Sequence, residues 1–360
     1  MPTVRKGNWD FAKAILMFLV IYGHVCPAIS GDTYTEQWCA LTRVTGLFVM
    51  PLFFFISGYF QTIILNSQDI LRKYKKTFLR VGVPLMSWGG LLLFIKFQKL
   101  WQFTESAYFS KHIVLFVKNG IIDVANFYWF LSALLLCITL GTLLSWVNTK
   151  CSKWGTALLL ISLTLFTSFR IDLFHFSFVW FYYGCGMLYK FYKSQLKETM
   201  GKKKSVWIMM VVSLACIVIG IFFYPKYTFY YTSNQVSQTS IGFILLRYLL
   251  SLIASICALY WVFKLYEKYE GRSFVTYLTK TGQDTLFLYC SHVLFLSYTL
   301  KTMVDGFYGT NGLLYEFPMI KYYLVAPIVS VVLFYLLYSL AFCLKRISFF
   351  RVLFLGLPAK

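Results

Sequence analysis

Asp10, Lys13, Tyr22 and His24 stand in a stretch, Trp9 to Ile29, that is otherwise apolar enough to cross a bilayer. Ionisable groups at membrane depth are costly and by default mark function. At about 100° per residue, the eleven positions from Lys13 to His24 return to nearly the same helical face, about 16 Å along the axis. Asp10 and Lys13, three positions apart, are neighbours on the helix surface, where pairing cancels part of their burial cost. An imidazole beyond them titrates near neutrality, so it can take a proton from a weak nucleophile or carry a group itself. The spacing thus describes acid–base or nucleophilic chemistry on a path leading into the membrane. A structural ion pair near the membrane edge and a core histidine bonded to a neighbour are the plainer alternatives.

The elements that must hold these residues are membrane helices. The chain is 59% hydrophobic, 21% aromatic and 13% charged, with mean hydropathy +0.67 over 360 residues, which excludes a soluble domain of this size. Its net charge of +21 lies in short loops between apolar runs, which argues for membrane topology and against a nucleic-acid partner. Ten apolar segments are marked, near residues 9–29, 44–65, 79–97, 126–147, 154–169, 173–190, 205–224, 240–263, 283–301 and 321–344, with 111–122 read as an interfacial or re-entrant helix. With the N-terminus inside, 23 of the 34 Lys and Arg fall on the cytoplasmic side and 9 outside, the other two, Lys13 and Arg247, lying in spans. That bias predicts an all-α polytopic membrane protein with about ten transmembrane helices and both termini in the cytoplasm. The first run is read as a retained span, since Asp10 and Lys13 interrupt what would be a signal peptide's apolar core. Residues 1–360 are expected to form one membrane-embedded domain without a soluble one. Nine cysteines without a CxxC pair read as small core residues, and four histidines at 24, 112, 175 and 292 show no metal-ligand spacing. No nucleophile elbow, phosphate-binding glycine loop or dinucleotide fingerprint is present.

Four landmarks give the chain a family resemblance. They are Asp10-x-x-Lys13-x10-His24, Met50-Pro51-Leu52-Phe53-Phe54-Phe55-Ile56-Ser57-Gly58-Tyr59, Trp129-Phe130-Leu131, and the late run from Thr281 through Tyr289 to His292. In order and spacing they resemble the membrane-bound acyltransferase-3 family, in particular its sugar O-acetylase-like branch, over essentially the whole chain. The resemblance implies a multi-pass enzyme of the cell (inner or plasma) membrane that moves an acyl group, usually acetyl from acetyl-CoA, onto a saccharide hydroxyl. It implies His24 as general base or acyl carrier, with Lys13, Asp10 and His292 at the same centre. A structural hydrogen bond to another span would equally account for His292. A base near the thioester helps a poor sugar nucleophile by roughly 10²- to 10⁴-fold.

The donor's phosphates need cations. Arg72, Lys73, Lys75, Lys76 and Arg80 precede Pro84, and Lys76 and Arg80, one turn apart, are placed to clamp a diphosphate. The family's Arg-x-x-Arg element is replaced here by Lys76-x3-Arg80, and the positive-inside rule alone accounts for a cluster of this kind. Arg247, inside a span, either snorkels to the surface or is a second phosphate ligand. On the outer side Glu105, Asp123, Asn126, Trp129, Asp172 and His175 supply the stacking face, acceptors and donors for a sugar, while interfacial belts use the same aromatics. Ser57 and Gly58 read as a site of close helix approach. The partners expected are acyl-CoA, a saccharide acceptor and the bilayer, with no metal. A transporter or flippase for a saccharide or lipid-linked glycan is the alternative of another class, but no inverted repeat with broken helices is found. A non-catalytic subunit of a polysaccharide machine is a third.

Overall fold

In hydrocarbon every backbone N–H and C=O must be paired within its own segment, so apolar runs of this length fold as helices. The computed structural model describes residues 7–29, 39–102, 106–169, 173–196, 202–222, 241–300 and 317–358, and among these the chain is helical with no strand. In order the helices are α1 (Gly7–Ala28), α2 (Ala40–Tyr59), α3 (Ser67–Thr77), α4 (Val83–Gln102), α5 (Ser106–Phe127), α6 (Trp129–Lys150), α7 (Ser152–Phe169), α8 (Phe176–Leu196), α9 (Lys202–Phe222), α10 (Ile241–Tyr269), α11 (Ser273–Thr281), α12 (Thr285–Phe295), α13 (Ala326–Leu344) and α14 (Ser348–Leu355). A π-helical turn, Phe78–Gly82, joins α3 to α4, and two more follow α12 and precede α13.

Six helical stretches among the described residues are long and apolar enough to cross a membrane: Gly7–Ala28, Ala40–Tyr59, Ser67–Gln98, Trp129–Lys150, Ile244–Tyr269 and Lys321–Leu344. Ser152–Phe166, Val206–Phe222 and Thr285–Tyr298 are apolar but shorter. The expected span at 173–190 falls in α8, whose Trp180, Tyr182 and Tyr183 are fully buried, so this helix faces protein along much of its length. The stretch expected as an interfacial helix, 111–122, lies inside the longer α5, which runs antiparallel to α4 with Gly89 against Val124 and Gly120 against Leu93. Large apolar side chains are exposed along α9, α10 and α13, among them Trp207, Val211, Leu214, Leu246, Leu249, Val331 and Leu336. An apolar perimeter of this extent suits lipid as the surrounding solvent.

The centre of the bundle is α1, α2 and α8. A Cβ at Gly58 would overlap the Tyr183 carbonyl, and one at Gly186 would overlap the Phe55 carbonyl, so α2 and α8 meet at backbone distance. Two ends follow from the contacts. At the near end Gly282 lies against the Asp10 carbonyl, Trp9 stacks on Tyr59 at 4.6 Å between ring centroids, and Lys190 donates to the Gln61 carbonyl. At the far end His24 of α1 meets His292 of α12, and Arg247 of α10 reaches Gly46 of α2.

Candidate active site

Lys13 Nζ lies 2.6 Å from Asp10 Oδ1, with the lysine side chain 23% and the aspartate 5% exposed. Asp10 sits in the first turn of α1, where the helix dipole favours a carboxylate. Asp284, two turns before His292, pairs instead with Lys345 at 2.5 Å. The near end therefore keeps two buried carboxylates, each held by a lysine.

From Lys13 the same helical face runs through Met17 and Val20 to His24, the i, i+4, i+7, i+11 stripe anticipated from the spacing. The first three of these line a cavity of about 100 Å³. Its other walls are Met50, Phe53, Ile56 and Ser57 of α2, Phe130 and Leu134 of α6, and Thr285, Leu286 and Tyr289 of α12. Among the described residues Lys13 is its one charged lining group, and the remaining walls are mostly apolar.

One turn beyond Tyr289 the two histidines meet, with ring centroids 5.2 Å apart and planes at 55°. His292 is fully buried, and its Nδ1 is 2.9 Å from the Leu288 carbonyl. A carbonyl only accepts, so Nδ1 carries the proton and, in the neutral ring, Nε2 is a lone pair. That Nε2 is buried and has no hydrogen-bond partner among the described residues. A buried acceptor left in this state is expensive unless a ligand or another side chain uses it. His24, by contrast, is exposed, and space beside Gly23 is open. The pair thus combines an accessible imidazole with a buried one of fixed tautomer.

Aromatic rings continue from the pair. Tyr289 meets His292 edge-on at 5.6 Å and Phe130 at 4.9 Å, and Trp129 follows Phe130. His175 stands edge-on to Trp129 at 5.0 Å. It is presented by a strained turn in which Phe174 and His175 both adopt positive φ, 51° and 55°. Asn126 is exposed near the end of α5. Asp123 is taken up by Lys96 at 2.8 Å, and Glu105 and Asp172 lie outside the described residues.

The cations separate into two groups. Arg80 lies in the π turn Phe78–Gly82, one turn from Lys76, at the near end. Arg247 is at the far end, buried, donating to Ser251 Oγ and to the Gly46 carbonyl at 3.5 Å, with its guanidinium 5.5 Å from the Phe178 ring. It is therefore not brought together with Arg80 and Lys76. Among the described residues no group of three His, Cys, Asp or Glu gathers to hold a metal.

The model of an acyltransferase domain, acyltransferase 3, matches residues 6–344. The chain belongs to the acyltransferase-3 family. It is 24% identical over 220 residues to the nodulation protein NolL of Sinorhizobium fredii, covering 59% of this chain and 56% of that protein. It is 28% identical over 157 residues to NolL of Mesorhizobium japonicum, covering 42% of this chain and 38% of that one. The match thus spans little more than half the length of the first of these curated relatives and less than half of the second, and no solved structure matches the chain. Within this family member, every residue lining the cavity comes from, or stands within three positions of, the four segments that carry the sequence resemblance. The sequence does not single out Lys190 and offers Lys73 only within the basic run from Arg72 to Arg80, because their convergence depends on how α8 packs beside α2.

Proposed function

We propose that the protein is a multi-pass membrane O-acyltransferase that moves an acyl group, acetyl in the simplest case, from acyl-CoA to a hydroxyl of a cell-surface or exported saccharide. The observation that supports this best is the cavity that starts at Lys13 and follows one face of α1 toward the His24–His292 pair. On this reading the near end is cytoplasmic and admits the donor, as the excess of Lys and Arg there favours. Arg80 and Lys76 take the diphosphate, and the pantetheine arm lies past Lys13 so that the thioester reaches His24. Trp129, Asn126 and His175 form the saccharide side. The whole of residues 1–360 acts as one domain in the cell membrane.

His24 accepts the proton of the sugar hydroxyl as that oxygen attacks the thioester carbonyl. The C–S bond then breaks, and the departing thiolate takes the proton from the imidazolium. For this His24 must keep one nitrogen as a lone pair, and a hydrogen bond from its N–H to Nε2 of His292 would fix that tautomer. Such contacts tighten in the substrate complex. Asp10 holds Lys13 in place rather than entering the reaction. The test is thiol release from acetyl-CoA by the purified protein in nanodiscs with a panel of saccharides. Release that requires a saccharide supports transfer, and an absence of acyl-CoA cleavage with every acceptor sinks it.

A further inference from the structure

The near end holds more cation than the scheme above uses. The irregular segment that leaves α2 is firmly anchored. Buried Gln61 donates from Nε2 to Thr142 Oγ1 at 3.0 Å and accepts from the Tyr183 hydroxyl at 2.8 Å, and Ser145 Oγ donates to the Thr62 carbonyl at 3.1 Å. Onto this segment two ammonium groups from different helices converge. Lys73 of α3 donates to Thr62 Oγ1 at 3.1 Å, and Lys190 of α8 donates to the Gln61 carbonyl. Lys76 and Arg80 follow on the Lys73 side, while the carboxylate nearest in sequence, Asp69, is engaged by Arg72 at 3.3 Å. Like charges gathered on a rigid segment cost free energy that a doubly charged anion would return. Beside Lys190 a cavity of about 380 Å³ opens, with Asn148, Ser152, Phe191 and Tyr192 among its walls.

We infer that Lys73 and Lys190 form a phosphomonoester site, distinct from the diphosphate clamp of Lys76 and Arg80, that binds the 3′-phosphate at the nucleotide end of the CoA donor. The inference rests on the acyl-CoA reading. Two ammonium groups set on adjacent residues make point-charge contacts to a dianion, and the open cavity with its two aromatic rings gives the attached nucleoside somewhere to lie. The phosphomonoester headgroup of phosphatidic acid presents the same phosphate chemistry, so the experiment must separate the two.

The full chain in phosphatidylcholine nanodiscs is titrated calorimetrically with adenosine 3′,5′-bisphosphate and with AMP. The wild type should bind the bisphosphate about 10- to 100-fold more tightly, the worth of one or two charge-assisted contacts. Lys73→Gln and Lys190→Gln should each lose most of that preference, and Lys190→Arg, which keeps the charge and guards against misfolding, should retain it. Equal affinities in the wild type, or full preference in both glutamine variants, would overturn the site. A preference erased in nanodiscs containing phosphatidic acid overturns the nucleotide assignment in favour of a headgroup, whereas one that survives supports it. Acetyl-CoA turnover on the same samples keeps the two readings apart, because a protein with the preference and no turnover refutes the transfer and not the phosphate site.

Discussion

Replacing Lys13 by methionine removes one member of a pair at 2.6 Å and leaves Asp10, only 5% exposed, without that lysine. At an effective permittivity of about 20 the lost attraction is about 6 kcal/mol. The lysine's own desolvation cost is returned, so the expected net loss is about 3–5 kcal/mol, the range for breaking a buried pair from one side. Asp10→Asn with Lys13→Met together removes both charges and should recover most of it, since a neutral pair of similar volume avoids the stranded carboxylate. The assay is a double-mutant cycle on thermal unfolding in detergent, with acetyl-CoA turnover measured on each variant. The single lysine variant should melt several degrees below the wild type and the double variant close to it. Turnover should stay low in both, because the cavity has lost its only charged wall. If Lys13→Met is no less stable than the double variant, the pair is not a buried structural unit. If the double variant turns over normally, Lys13 has no part in the donor path.

The two buried or clustered arginines should behave differently. Arg80→Met should raise the donor KM about 10-fold, a loss of one charged contact, whereas Arg247→Met, at the opposite end, should lower stability and leave the donor KM unchanged. Gly58→Val should cost at least about 1–3 kcal/mol by forcing α2 off the Tyr183 carbonyl, read as a lower melting temperature.

Much of the site was legible because helical periodicity is local. The step from Lys13 to His24, the pairing of Asp10 with Lys13 and the close approach at Gly58 all follow from the spacing of residues within one helix. What was not legible depends on packing between distant helices. The sequence leaves Arg247 either snorkelling to the surface or serving as a second phosphate ligand, because its neighbourhood does not say at which end of the bundle α10 places it; contacts with Gly46 and Phe178 do. The meeting of His175 with Trp129 depends on left-handed backbone at Phe174 and His175, which β-favouring aromatic residues do not announce. Lys190 becomes a neighbour of Lys73 because α8 runs beside α2 and the two lysines bond to adjacent residues, Lys190 to Gln61 and Lys73 to Thr62.

Activation of a sugar hydroxyl by the exposed imidazole of the His24–His292 pair is tested most directly by transfer of labelled acetyl from acetyl-CoA into a base-labile ester on a saccharide, wild type beside His24→Ala, both confirmed to bind acetyl-CoA. The wild type should form the ester, and the variant should lose roughly 10²-fold or more of that activity. Ester formed by His24→Ala at the wild-type rate would contradict it.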